Sequence, residues 1–282
     1  MKAVDRVNSI KASKALEVVK RVGKKRSRGE STPVDAPMIR INCDLGESFG
    51  PWTMGLDADV MPHIDSANIA CGFHGGDASV MRRSILLAKQ HNVEIGAHVS
   101  YPDLQGFGRR SMAIRGQELI DMLHYQIAAL DGMARTHGTK IGYVKPHGAM
   151  YNDMMKDTEL LADIMQAVAS WHKTVDLVVM ATPKDRQAVQ LGIDYGVSLR
   201  FEAFADRGYT NAGYLIARDK PGALLDEDGA VAQALAIARG ELSRSRGKSL
   251  HLKPDTLCVH GDTPAAVAMV KAIREAMTQP ED

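Results

Sequence analysis

The sequence alternates short, β-branched apolar runs with amphipathic helical stretches, and this alternation constrains the fold most. Strand-like runs lie at 39–45, 67–71, 93–98, 141–145, 176–180, 198–203 and 256–260. Helical patterns follow the second to seventh runs, at 78–91, 116–137, 158–171, 183–191, 230–242 and 264–277. Strands that alternate with helices predict a parallel sheet with helical crossovers. Seven such units in about 240 residues favour a closed α/β barrel over an open sheet.

The beginning of the chain differs in composition from the rest. Residues 1–35 hold ten Lys or Arg against four Asp or Glu, whereas the whole chain holds 35 against 34. Val7, Ile10 and Leu16 are spaced as in a helix, but isolated short helices are marginally stable in water. We therefore predict a basic N-terminal extension at 1–37, disordered or a short helix, and a barrel catalytic domain at 38–282. A targeting segment and an anchor on an anionic surface are the alternatives for the extension.

Composition excludes several classes of function. The net charge of +1 gives no general attraction to nucleic acid, and 5% aromatic residues are too few for a base-stacking surface. The sequence has no run of 18 apolar residues, which a membrane-spanning helix would need. Three cysteines indicate a reducing compartment without a disulfide framework. We expect a cytoplasmic protein that binds neither nucleic acid nor a membrane.

Polar side chains follow six of the seven predicted strands. In a parallel α/β barrel the carboxyl ends of the strands lie on one face, where active sites occur. Helix N-caps would explain Asp77 and Asp262, but they do not explain histidines at four separate strand ends. We therefore predict one site built from Asp44, Glu47, His74, Asp77, His98, Lys145, His147, Glu202, Asp206, Arg207, His260 and Asp262.

The predicted catalytic residues are Asp44, His74, His98 and His147, and the other eight are predicted to bind substrate or phosphate. Asp44, His74 and His98 form a ligand set found in hydrolytic metal sites. The same three side chains could instead act as acid, base and orienting group without a metal. Both alternatives remain open. Three strand cysteines are interpreted as small buried side chains in preference to nucleophiles: Cys43, Cys71 and Cys258.

Seven motifs, in order along residues 38–275, resemble the family of 5-oxoprolinase A subunits, also called the lactam-utilization (LamB/YcsF) family. Residues 42–47, Asn-Cys-Asp-Leu-Gly-Glu, are similar to its NADLGE-type opening, and residues 66–77 to its SANIACGFHAGD segment. The others lie at 96–103, 107–110, 144–148, 204–209 and 259–264. The departures are Cys43 for a small residue, Gly75 for Ala and Val99 for Pro, and none removes a polar site residue.

The resemblance implies an irregular seven-stranded β/α barrel like that of polysaccharide deacetylases. It implies hydrolytic opening of the lactam 5-oxo-L-proline to L-glutamate, with ATP as co-substrate and with partner subunits B and C. Asp44 with His74 or His98 would then activate water, and Lys145 with His147 would hold developing negative charge. Arg207 would suit a carboxylate or phosphate.

Nucleotide binding is not assigned to this chain, because its sequence contains no phosphate-loop motif. A divalent metal remains an open possibility. The alternative function is a stand-alone metal-dependent deacetylase or amidohydrolase acting on a sugar or an amide. A non-catalytic role within a complex is disfavoured by the density of His and Asp on one predicted face.

Overall fold

The computed structural model describes residues 39–172, 174–183, 185–242, 250–261 and 266–278. The predicted N-terminal extension at 1–37 and the predicted site residue Asp262 lie outside the described residues. No helix in the described ranges combines the length and the apolar character that crossing a membrane requires.

Seven parallel strands close into a barrel, as the sequence predicted. Each strand pairs with the next along the chain, and the last pairs with the first. Every observed strand begins and ends within one residue of a predicted run, because β-branched runs bounded by polar residues mark buried strands clearly. The strands are β1 Arg40–Leu45, β2 Ser66–Ala70, β3 Glu94–Val99, β4 Ile141–Pro146, β5 Asp176–Met180, β6 Leu199–Phe204 and β7 Thr256–His260.

Helices surround the barrel and connect its strands. They are α1 Asp57–Val60, α2 Ala78–Gln90, α3 Gly116–Thr136, α4 Gly148–Met154, α5 Thr158–Trp171, α6 Arg186–Tyr195, α7 Glu227–Ala238 and α8 Ala266–Thr278, and a 3₁₀ turn follows α1 at Met61–His63. Helices α1 and α4 were not predicted, because one or two turns carry too little apolar periodicity. Helix α6 extends beyond its predicted end at residue 191: it continues to Tyr195 and stops at the left-handed Gly196.

The apolar core lies mainly between the barrel and its helices, whereas hydrogen-bonded polar side chains occupy much of the barrel interior. In α3 the buried residues Leu119, Leu123, Ile127 and Leu130 recur every three or four positions, so one stripe of the helix packs against the strands. Gly96 of β3 makes room inside the barrel, because a side chain there would overlap the ring of Tyr143.

An ion-pair network closes the amino-terminal end of the barrel. Arg200 donates to both carboxylate oxygens of Glu94, at 2.9 and 3.1 Å, and to Asp176 at 3.0 Å. Arg40 pairs with the same Glu94 at 3.0 Å. These contacts join strands β1, β3, β5 and β6 at the end opposite the strand carboxyl termini. In barrels of this kind that end serves stability.

Candidate active site

A cavity of about 360 Å³ opens at the carboxyl ends of the strands. Its size is typical of a small-molecule site. Of the predicted site residues, the cavity is lined by Asp44, Glu47, His98, Lys145, His147, Arg207 and His260. The structure therefore brings together side chains that are more than 200 positions apart in the sequence, as expected of a parallel barrel.

The carboxylate of Asp44 is held from three sides. Its Oδ1 accepts hydrogen bonds from Nζ of Lys145 at 2.9 Å and from Nδ2 of Asn68 at 2.7 Å. Its Oδ2 lies 3.3 Å from Nε2 of His98. Burial would raise the pKa of Asp44, but His98 and Lys145 lower it well below its ordinary value. Asp44 is therefore a fixed, charged group at the cavity wall.

Lys145 connects the two sides of the barrel interior. Its Nζ lies 2.9 Å from Asp44 and 2.9 Å from Oε1 of Glu202, and it donates at 3.3 Å to Oδ1 of Asn42. Lys145 and Glu202 are buried. A single buried ammonium thus compensates two carboxylates.

Three imidazole rings pack beside this ion pair. His147 stacks on His74 with ring centres 3.8 Å apart, and both rings meet His98 edge-on. Nδ1 of His147 lies 3.0 Å from Nε2 of His98, and Nε2 of His74 lies 3.1 Å from Oε1 of Glu47. Burial lowers the pKa of His74 and of His147 well below the ordinary value, and the neighbouring histidines lower both further.

His260 and Asp206 form a second polar pair at the cavity. Nδ1 of His260 lies 2.8 Å from Oδ2 of Asp206, and the His260 ring stacks on Phe204. Burial would raise the pKa of Asp206, but His260 lowers it below its ordinary value. The carboxylate therefore orients the imidazole of His260, which lines the cavity.

The loop after β3 covers the histidine cluster. The carbonyl oxygen of Phe107 accepts from Nε2 of His147 at 2.9 Å, and that of Gly108 accepts from the backbone N–H of Ala149. Gly108 has φ +65°, and a Cβ atom there would lie 2.8 Å from Cδ2 of His147 and 2.9 Å from Cβ of His74. Only glycine lets the loop approach the rings this closely.

Three predicted site residues have mainly structural contacts. Asp77 is the N-cap of α2: it accepts from the backbone N–H groups of Ser79 and Val80. Arg207 donates to the carbonyl oxygens of Ala223 and Ile216, so it shapes the loop after β6 although it lines the cavity. His74 is buried behind His147 and is not among the residues that line the cavity.

Several residues of the candidate site were not predicted from the sequence. Asn68 holds Asp44 and in turn accepts from Oη of Tyr143 at 2.6 Å. An asparagine inside an apolar strand run is unusual, and this could have marked it as functional. Arg109, Lys156 and Arg218 also line the cavity and give its mouth positive charge. They lie in loops whose position the strand pattern does not determine.

The three cysteines are buried and free. Burial raises the pKa of Cys71 to about 12 and raises the pKa of Cys43 and Cys258 well above the ordinary value. The thiols therefore remain protonated at neutral pH, which agrees with the interpretation of these residues as small buried side chains.

Two groups of side chains could hold a metal ion, considering only the described ranges. One consists of Glu47, His74, His98 and His147, and the other of Asp44, Cys258 and His260. The sequence-based metal candidates His74 and His98 fall in the first group and Asp44 in the second.

The matches to known proteins agree with this geometry. A model of the LamB/YcsF family matches residues 39–281. The chain belongs to the LamB/YcsF family. The resemblance noted from the sequence motifs is thereby confirmed.

Relatives share most of their length with this chain. It is 58% identical over 243 residues to the 5-oxoprolinase A subunit of Pseudomonas fluorescens (strain Pf0-1), and the match covers 86% of this chain and 97% of that protein. It is 54% identical over 242 residues to the 5-oxoprolinase A subunit of Chromohalobacter salexigens, covering 85% and 97%.

Solved structures support the same family and fold. The lactam utilization protein from Thermus thermophilus has a TM-score of 0.78 and 36% identity, covering 85% of this chain and 95% of that chain. A putative cellobiose-phosphate cleavage protein from Enterococcus faecalis has a TM-score of 0.50 and 13% identity, covering 84% and 92%, and shows the fold alone.

The family motifs coincide with the structural features of the site. The segments 42–47, 66–77, 96–103 and 144–148 each cross the carboxyl end of a strand and enter the following loop. They supply Asp44, Glu47, His74, His98 and Lys145. Four of these five residues therefore belong to the cavity wall, and His74 lies behind it.

Proposed function

We propose that this chain is the A subunit of a multi-subunit 5-oxoprolinase that opens 5-oxo-L-proline to L-glutamate with hydrolysis of ATP. The observation that carries the proposal is the buried cluster of Asp44, Lys145, His98 and His147 at a cavity sized for a small molecule. The relatives are named as A subunits of 5-oxoprolinase, and these names supply the substrate and the existence of further subunits.

The overall reaction explains the need for ATP. A five-membered lactam is a resonance-stabilised amide, so its opening needs activation. Transfer of the γ-phosphoryl group to the amide oxygen releases ADP and makes the ring carbon more electrophilic. Water then adds, the ring C–N bond breaks and nitrogen takes a proton, which leaves an acyl phosphate. A second water releases phosphate and glutamate, so two waters are consumed for each ATP.

The residues divide this work according to their contacts. Asp44, oriented by Asn68 and His98, activates the attacking water. Lys145 stabilises negative charge that develops on the reacting oxygen, and His147 positions His98 through the contact of its Nδ1 with Nε2 of His98. His74 contacts Glu47 and His147 and is a positioning residue.

The cavity mouth supports an anionic substrate. Arg109, Lys156 and Arg218 line it, and the substrate carboxylate and the phosphoryl group both carry negative charge. The sequence contains no phosphate-loop motif. We therefore assign ATP binding to the partner subunits B and C and hydrolysis to this chain. The activated lactam would be lost to bulk water if it were exposed. Its formation and its hydrolysis must therefore occur within one closed site that the subunits form together.

The proposal is tested by measuring glutamate release from this chain alone, from the partner subunits alone and from the mixture of all three. We expect turnover of ATP and lactam only in the mixture. Asp206→Asn should impair glutamate release while the variant still co-purifies with its partners, because the Asp206–His260 pair lies at the cavity. Asp121→Asn, on an exposed face of α3, is the matched control.

Two results would contradict the proposal. Full turnover by the isolated chain would remove the division of labour. Turnover on an acetylated sugar without ATP would instead favour the metal-dependent deacetylase.

A further inference from the structure

At the cavity floor, a ring nitrogen of His98 faces a ring nitrogen of His147, and the two are close enough for a cation to bridge them. Nε2 of His98 and Nδ1 of His147 lie 3.0 Å apart. The other nitrogen of each ring lies 2.9 Å from a backbone carbonyl oxygen, of Lys145 for His98 and of Phe107 for His147. Because a carbonyl oxygen only accepts, each of these outer nitrogens carries its ring's proton. In neutral rings the two facing nitrogens therefore both present lone pairs, and the carboxylate of Asp44 lies 3.3 Å from the same Nε2 of His98.

Two further donor atoms lie beside this pair, and the parallel stacking of His74 on His147 requires one of these rings to turn before both nitrogens can point at one ion. Nε2 of His74 lies 3.1 Å from Oε1 of Glu47, which lies 3.7 Å from Nδ1 of His147. The four atoms are all within 4.8 Å of one another. Four ligands arranged tetrahedrally at about 2.0–2.1 Å from an ion are about 3.3 Å apart. The observed separations of 3.0, 3.1 and 3.7 Å bracket that value.

The surroundings also favour a metal cation. All four side chains are buried. An outer N–H bound to a backbone carbonyl, as in His98 and His147, is the usual way in which proteins orient metal-binding histidines.

The second candidate metal group, which consists of Asp44, Cys258 and His260, already has the ammonium of Lys145 beside it. Nζ of Lys145 lies 3.2 Å from Sγ of Cys258 and 2.9 Å from Oδ1 of Asp44. The ammonium of Lys145 therefore compensates this group, and a divalent ion there would be repelled by it.

We propose that Glu47, His74, His98 and His147 bind one divalent transition-metal ion, and that zinc fits this set of three imidazoles and one carboxylate. The ion would add positive charge at the cavity floor. The ion site stands independently of the lactam reaction, because each measurement below records binding and not turnover.

The first experiment uses the full-length parent chain, purified without a histidine tag, stripped with a chelator and titrated with Zn²⁺ in a calorimeter. We expect one zinc per chain. X-ray absorption of the loaded protein should show nitrogen and oxygen neighbours. Absence of saturable binding would overturn the proposal, since a proton then lies between His98 and His147. A sulfur neighbour would also overturn it, because it would place the ion at Cys258.

The second experiment compares variants. His147→Phe keeps a flat ring without a donor atom, and Glu47→Gln keeps the side-chain shape. Each should weaken zinc binding by about 100-fold or more. His124→Ala is the control, since Nε2 of His124 contacts Ala167 and Ser170 on the outer helices. Circular dichroism checks the fold, and a folded His147→Phe chain that binds zinc as tightly as the parent would contradict the assignment.

Discussion

Nζ of Lys145 lies 2.9 Å from Oδ1 of Asp44 in the barrel interior, and the same Nζ lies 2.9 Å from Oε1 of Glu202. Burial would lower the pKa of Lys145, but the charges of Asp44 and Glu202 raise it well above its ordinary value. Lys145 therefore stays charged at neutral pH. One ammonium connects strands β1, β4 and β6 at the level of the cavity.

Replacement of this ammonium should destabilise the fold. Lys145→Met leaves two buried carboxylates without their shared cation, and we expect a loss of about 3–5 kcal/mol in the free energy of unfolding. Urea denaturation measures this loss. The double variant Lys145→Met/Glu202→Gln should lose less than the sum of the single changes, because the second change removes one uncompensated charge. Lys156→Met, at an exposed position, should change stability by about 0.5 kcal/mol or less.

Asp44 and His98 should act as one catalytic unit in the reconstituted enzyme. Asp44→Asn and His98→Ala should each lower the rate of glutamate formation by about 10²–10⁴-fold, the usual range for a lost acid–base group. The double variant should be little worse than either single variant, because Oδ2 of Asp44 and Nε2 of His98 are 3.3 Å apart and serve one step. Near-parental turnover by a folded His98→Ala chain would exclude this residue from the reaction.

The sequence predicted the barrel well because its signals are local. The run that begins at Asp176 and the run that ends at His260 each combine β-branched residues with polar boundaries, and these fix a strand within one residue. Parallel pairing then places strand ends on one face. Asp44, His98 and Lys145 meet there for topological reasons alone.

The contacts inside the site could not be predicted in the same way. Glu47 and His74 pair because two loops fold toward each other, and no periodic pattern encodes a loop path. The polar role of Asn68 depends on its facing the barrel interior beside Tyr143. Asp77 illustrates the opposite case, since an aspartate before a helix fits both a ligand and an N-cap, and the structure shows the cap.

Gly108 should be required for the shape of the site. Gly108→Ala forces a side chain into the left-handed region and against the rings of His147 and His74. We expect a loss of about 1–3 kcal/mol in the free energy of unfolding, measured by urea denaturation. Gly132→Ala is the matched control: it lies within α3 with open space around it. That change should stabilise the chain by about 0.5–1 kcal/mol. Equal effects of the two substitutions would contradict the close approach at Gly108.

The network at the amino-terminal end of the barrel should make stability sensitive to acid. Burial would raise the pKa of Glu94, but hydrogen bonds and charge from Arg200 lower it below its ordinary value. Because the pKa of Glu94 is lower in the folded state than in the unfolded state, its carboxylate stabilises the fold at pH values above the unfolded-state pKa of about 4.3. That contribution is lost as the pH falls through the folded-state pKa.

Glu94→Gln removes this contribution at every pH. We expect the variant to be less stable than the parent by about 1.5–3 kcal/mol at neutral pH, the range for hydrogen bonds to charged groups. The difference should shrink as the pH is lowered below about 4, where the parent also loses the Glu94 charge. Thermal melting of both chains across this pH range measures the change. Glu275→Gln on the exposed face of α8 should instead follow the parent curve. A Glu94→Gln deficit that stays constant down to acid pH would show that the stabilising contact does not depend on the carboxylate charge.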